Sequence, residues 1–223
     1  MMYFSNDTVN VLKNFSQINP SIAFKPGNKL STMSPQKSIM AIAEVQDVFP
    51  SSGAIYDLGR FLGVVSLFES PAYTFNETHL DIRDNQKSVA YTFCSEDMVV
   101  KPTKDDIMVA PDVNINITND NIQQVLRAAT IMSLPEVCIT GTDDIQLKAV
   151  NSEGTSTDQY SQVIANNETG HKFNFIFKTE NLKLLPDDYN VIIDSRGISQ
   201  FRSASATPKL TYWIAVEQTS EFE

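Results

Sequence analysis

Two histidines and two cysteines are the side chains best suited to bind a metal or attack an electrophile. His79 and His171 lie in strand-like segments, without a carboxylate or cysteine at ligand spacing. Cys94 and Cys138 sit in the apolar runs FCS and VCIT and read as buried free thiols of a reducing compartment. The chain has no CxxC, HExxH, GxxxxGK[ST] or GxSxG. Gly59-Arg60-Phe61-Leu62-Gly63 lacks the glycine spacing and strand-to-helix setting of a phosphate loop. Asp105-Asp106 and Asp143-Asp144 could hold a divalent cation, but adjacent acids in turns are mostly solvated. The expectation is a protein that is not an enzyme, with no catalytic residues, no cofactor and no metal. A hydrolase site assembled from scattered Asp, His and Ser is the catalytic alternative, to be tested at His171.

Weaker binding chemistry does recur. Asp7–Asn19 (DTVNVLKNFSQIN) and Asp120–Ser133 (DNIQQVLRAATIMS) each read as an amphipathic helix. Their centres match, Val11-Leu12-Lys13 against Val125-Leu126-Arg127, 114 residues apart in a chain of 223. At helical spacing Asn6, Asn10, Lys13 and Gln17 share one stripe, and Leu12 and Phe15 face the other way. Gln123, Gln124 and Arg127 are the corresponding polar residues of the second helix. Amides around an isolated cation suit loose phosphate contact, direct or through water, without base readout.

Short strands must position these helices. Ile22–Phe24, Ser38–Val45, Thr78–Asp84 paired with Lys87–Phe93, Val113–Ile117, Glu136–Thr142 paired with Ile145–Asn151, Lys172–Phe177, Tyr189–Asp194 paired with Ile198–Arg202, and Leu210–Glu217 all read as strands. Lys25–Asn28 reads as a turn and Asn151–Asp158 as a loop. Ile55–Phe68 reads as helix in its first half and a turn into strand in its second, because Gly59 and Gly63 weaken helix by about 1 kcal/mol each. Glu180–Leu185 reads as one or two helical turns stopped at Pro186, in the place that Asp57–Leu62 holds in the first half. Ser5 or Asp7 would cap the first helix, and Thr118 or Asn119 the second. Lys101–Asp112 has two prolines, mixed charge and a small apolar island, and suits a surface linker. The fold class is α+β, with two pseudo-equivalent domains at 1–104 and 113–223 and a linker at 105–112.

Composition agrees with a folded chain, at 42% hydrophobic and 20% charged. The net charge of −10 opposes general affinity for nucleic acid, so any such role needs bases segregated on one surface. No secretory signal or membrane span is read. The sequons at Asn14, Asn76, Asn116 and Asn167 are then chance matches.

The chain resembles the sliding clamp of T-even-type bacteriophages, the DNA polymerase processivity factor. The resemblance rests on Val11–Asn19 (VLKNFSQIN), Ala54–Leu67 (AIYDLGRFLGVVSL), Ile122–Arg127 (IQQVLR), Phe173–Ile176 (FNFI) and Tyr212–Glu217 (YWIAVE), in the family's order. Ser31–Lys37, Pro71–Asp112 and Asn151–His171 diverge. Proliferating cell nuclear antigen shares the architecture. The resemblance implies a DNA-clamp fold, with antiparallel sheets outside and helices lining a central hole, in a homotrimeric ring around double-stranded DNA. It also implies DNA polymerase, an ATP-driven clamp loader and late-transcription factors as partners, no membrane, and the cytoplasm of an infected host cell. Carried over, Lys13 and Arg127 face the hole with Asn10, Gln17, Gln123 and Gln124, and Arg60, Lys178 and Lys183 lie on or near the shorter helices. Partner peptides would dock at Ile107, Val109, Trp213, Ala215 and Val216. Alternatively, Trp213 and Val216 are ordinary core of the last strand. A strand-rich phage virion or attachment protein is the competing reading, and it leaves the repeated helices unexplained.

Overall fold

The computed structural model describes residues 2–154 and 157–223, and the fold is α+β. The chain divides into two compact units. The first runs to Asp106 and includes Ser205–Thr211, and the second comprises Ile107–Ala204 and Tyr212–Glu223.

In the first unit, β1 (Met2–Tyr3) leads into α1 (Asn6–Ile18). Then come β2 (Ile22–Phe24), β3 (Gly27–Met33), β4 (Ile39–Phe49) and β5 (Gly53–Ile55). α2 (Leu58–Val65) precedes β6 (Ala72–Phe75), β7 (His79–Arg83) and β8 (Ser88–Thr92). The strands form an antiparallel run ordered β5-β2-β3-β4 and a sheet ordered β1-β6-β7-β8. Ser5 is the cap of α1: its Oγ accepts from the Thr8 amide at 3.2 Å. The Ser5 amide and hydroxyl in turn donate to Asp47 Oδ2, each at 2.7 Å, tying the helix start to β4. The helix ends as expected at Asn19-Pro20, and the buried Asn19 side chain donates to the carbonyls of Met33 and Val100. Val11, Leu12, Phe15 and Ile18 are all buried against the sheets. Such burial stabilises by roughly 1.5–3 kcal/mol per large side chain.

In α2 the structure differs from expectation, because the helix runs on to Val65 instead of turning into strand. Asp57 Oδ1 accepts from the Arg60 amide at 2.8 Å, and Leu58, Phe61 and Val65 keep helical spacing on the buried side. Gly59 and Gly63 both fall on the exposed side, so they remove nothing from the core.

The second unit opens with β9 (Val113–Ile117), whose isoleucines point in and asparagines out, and α3 (Asn119–Ile131). Next are the hairpin β10 (Glu136–Gly141) and β11 (Asp144–Val150), then β12 (Tyr160–Asn166) and β13 (Phe173–Lys178). β14 (Tyr189–Asp194) and β15 (Ile198–Ser203) form a second hairpin, turned through Gly197 at φ +106°. β16 (Lys209–Ala215) is shared between the units after Thr211, and β17 (Glu221–Phe222) adds to β13. Here the sheets run β12-β11-β10-β13-β17 and β15-β14-β9. Thr118 caps α3, accepting from the Asn121 amide at 3.2 Å.

The expected helix at Glu180–Leu185 is only a 3-10 turn, Thr179–Asn181. Leu182 and Leu184 are both buried. That spacing of two needs extended chain, which overrides helical propensity here. The sequence reading passed over β3 and β12. β12 (YSQVIAN) mixes polar and apolar residues without clean alternation, and none of its residues is fully buried. The loop expected at Asn151–Asp158 falls partly at 155–156, outside the described residues. Among the described residues the longer strands at sheet edges are β8 in the first unit and β9 and β12 in the second. Among the described residues no helix is long and apolar enough to cross a membrane.

Candidate nucleic-acid interface

The burial pattern fixes how α1 and α3 correspond. At the spacing of 114, Thr8, Val11 and Phe15 match Ile122, Val125 and Ala129, and all six are buried. Asn6, Asn10, Lys13 and Gln17 match Asp120, Gln124, Arg127 and Ile131, and all eight are exposed. The two helices therefore present the same face within their own units, although their caps, Ser5 and Thr118, are 113 residues apart. Lys13 and Arg127 take part in no ion pair among the described residues. Both cations are free to meet a phosphate.

The other expected contacts vary. Asn10, Gln17 and Gln123 are exposed, with Gln123 on the flank of its stripe. Gln124 is engaged: its amide donates to Asp120 Oδ2 at 2.6 Å, and the Tyr160 hydroxyl lies 3.4 Å from its Oε1. Gln162 of β12 donates to the Asn121 carbonyl, which holds α3 against the sheet edge. Arg60 is exposed in the first turn of α2. Lys178 is exposed at the end of β13, and Lys183 is half-buried beyond the 3-10 turn.

A second cluster forms in the second unit around the linker. Trp213 Nε1 donates to the Ile107 carbonyl at 3.0 Å, so the structure brings these two docking candidates together. Ile107, Val109 and Ala215 are half-buried. Trp213 and Val216 are only 5% and 7% exposed. The Val216 amide donates to the Gly197 carbonyl at 3.0 Å. Met108, between Ile107 and Val109, is 94% exposed.

Asp194, Arg196 and Asp112 also belong here, and the sequence reading missed them. Asp194 is 1% exposed and accepts from the Ala110 amide at 3.0 Å, the Arg196 amide at 2.9 Å and the Arg196 guanidinium at 2.6 Å. The Arg196 side chain is the main cause that holds the Asp194 carboxyl far below the usual carboxylate range, and the two amides add to it against the opposing effect of burial. Asp112 Oδ2 accepts from the Ser195 amide at 2.7 Å. The only sequence signal was an acid and a base flanking a tight turn, Asp194-Ser195-Arg196-Gly197.

The groups with reactive chemistry are occupied structurally. His79 Nε2 lies 3.1 Å from Asn76 Nδ2 and 3.6 Å from Asp81, and the His171 ring packs tilted against Phe222 with centroids 4.8 Å apart. Cys138 is buried, which with the Glu136 charge pushes its thiol up to about 12. Cys94 is only half-buried, against expectation, because it follows β8 instead of lying within a strand.

Comparison with known proteins places this geometry. Residues 5–100 match the family model described as DNA polymerase processivity factor, and residues 114–218 match that described as gp45 sliding clamp, C terminal. The chain is 28% identical to the sliding clamp of Vibrio phage KVP40, over 97% of this chain and 99% of that protein. It is 28% identical to the sliding clamp of Enterobacteria phage T4, over 98% of each. The solved structure of A. fulgidus PCNA with the C-terminal region of FEN-1 superposes with a TM-score of 0.70 at 12% identity, covering 96% of both chains. That likeness extends the clamp fold across both units. With each half matched in order and the full length aligned to phage clamps, the chain belongs to the sliding-clamp family of DNA polymerase processivity factors.

Proposed function

We propose that the chain is one subunit of a closed ring that encircles double-stranded DNA, reads no sequence, and tethers the replicative DNA polymerase for processive synthesis. The observation that carries this reading is the matched pair of exposed stripes centred on Lys13 and Arg127, in a protein of net charge −10. Segregated cations on equivalent helices reconcile an acidic protein with a DNA-facing surface. Family membership sets aside the virion-protein and hydrolase alternatives, because a processivity factor is not itself an enzyme.

The mechanism is topological. A closed ring cannot leave a duplex sideways, so a polymerase bound to it stays at high effective concentration. Weak phosphate contacts serve this better than strong ones, because the ring must slide. The ring is a homotrimer of two-domain subunits, with domains at 1–104 and 113–223 and a linker at 105–112. The open edges β8 and β12 favour a head-to-tail assembly, since each offers unpaired backbone groups to a second copy. An ATP-driven clamp loader opens the ring, and late-transcription factors share its docking surface, in the cytoplasm of an infected host cell. Partner tails dock at Ile107, Val109, Trp213, Ala215 and Val216. A. fulgidus PCNA with the C-terminal region of FEN-1 bound is a precedent for such a contact.

Sedimentation across a concentration series tests the ring. A species of three times 24.9 kDa is expected. A monomer persisting at high concentration would remove the topological mechanism.

A further inference from the structure

The linker is not evenly held. Within the second unit, the Ile107 carbonyl is fixed by the Trp213 indole and the Ala110 amide by the Asp194 carboxylate. Asp112 is fixed in turn by the Ser195 amide. Between the first two anchors lie Met108 and Val109. Val109 turns partly inward, and Met108 is 94% exposed, more than any other large hydrophobic side chain among the described residues. An apolar side chain raised on a segment anchored on both sides is presented, not simply loose. The Ala110 amide is also one of the hydrogen-bond donors to the buried Asp194 carboxylate, and a buried charge is costly unless its partners stay in place.

We infer that Met108 is the central contact for an apolar side chain of a partner peptide, and that Asp194 is the positioning residue that holds the linker in the posture that offers it. The inference deepens the docking reading above and rests on it. Methionine suits the task because its unbranched thioether packs against differently shaped apolar groups. Asp194 is too buried to touch a partner itself. It acts by keeping the binding-competent posture populated, and apparent affinity falls in proportion to that population.

The test uses the full-length clamp, hydrogen peroxide as a methionine probe, and the DNA polymerase. Met98 and Met132 are 57% and 39% exposed and serve as internal controls. Met108 is expected to oxidise faster than either, and bound polymerase to slow oxidation at Met108 alone. Asp194→Asn is expected to speed hydrogen exchange at the Ala110 amide and to weaken polymerase binding about tenfold, as a drop of the docked posture to about a tenth would give. Ala110→Pro removes the same linker donor and leaves the Asp194–Arg196 pair intact, so it gives the same loss of affinity if Asp194→Asn does not fold. Unchanged exchange at Ala110 in Asp194→Asn would overturn the latch and leave docking standing. Faster exchange with unchanged affinity would overturn the positioning role. Polymerase that binds but leaves Met108 unprotected would overturn the contact and leave docking at Trp213 and Val216 standing, whereas unchanged polymerase binding in Val216→Asp would overturn the docking reading.

Discussion

α1 and α3 show the same face with different chemistry. The exposed stripe of α1 reads Asn6, Asn10, Lys13, Gln17, and that of α3 reads Asp120, Gln124, Arg127, Ile131. The first carries one net positive charge and three amides. The second cancels its cation with an acid and ends on an isoleucine that is 72% exposed. Beneath them the buried partners differ as well, Phe15 in the first unit and Ala129 in the second. What the two helices share is the phase of exposure and the placing of a single cation. The proposed loose hold on a duplex would constrain those features more tightly than the identity of the other contacts.

The sharpest way to break the equivalence is in the core. Phe15 is fully buried and closes the first unit's core beneath α1. Phe15→Ala, which copies the residue at the matched position, is expected to cost about 3–5 kcal/mol in denaturant unfolding. Ala129→Phe should cost about 1–3 kcal/mol, because that site has no space made for a ring. Equal and small effects would mean that the two helices are not packed as counterparts.

Acid should separate the units next. Among the described residues Asp194 is the one buried carboxylate, and it belongs to the second unit. Its carboxyl is depressed chiefly by Arg196, so it stays ionised in the fold where the unfolded chain would bind a proton. The stability it contributes is complete above the ordinary carboxylate value of about 4 and is lost as pH falls below it toward the depressed folded value. Trp213, the single tryptophan, lies in the same unit and is bonded to the linker. On acid titration its fluorescence should change before first-unit signals do, and Asp194→Asn should remove that lead. A simultaneous change in both units would sink the assignment.

How much of this was legible in sequence follows from the kind of pattern each feature leaves. α1 and α3 were readable because their apolar period, polar stripe and flanking Ser5 and Thr118 caps agree at one place in the chain. The hairpins β10–β11 and β14–β15 were readable because their turns are short and their strands alternate. α2 was read too short because its glycines were counted as helix breakers without knowing that both face solvent. The turn at Thr179–Asn181 was over-read because ENLKLL has helical composition, while burial of both Leu182 and Leu184 decides the geometry. Asp194 was invisible because its partner Ala110 lies 84 residues away, and a buried carboxylate has no local signature.

The smallest effect on stability falls at the exposed cations, and it most directly probes how the two stripes differ. Lys13→Glu and Arg127→Glu should each change stability by less than about 0.5 kcal/mol, since neither side chain is paired or packed. Both should weaken retention of the loaded ring on DNA. Each phosphate contact contributes about 0.9 to the slope of log affinity against log salt, so removing one lowers the slope by about that much. The Lys13 variant should suffer more. Around Lys13 the stripe holds only amides, so its charge is uncompensated, whereas Arg127 already shares its face with Asp120. Salt-dependent loading measured for the two single variants decides the matter. Equal losses would make the stripes interchangeable. A greater loss for Arg127→Glu would show that arginine, with its forked donors, is the main phosphate contact despite its acidic neighbour.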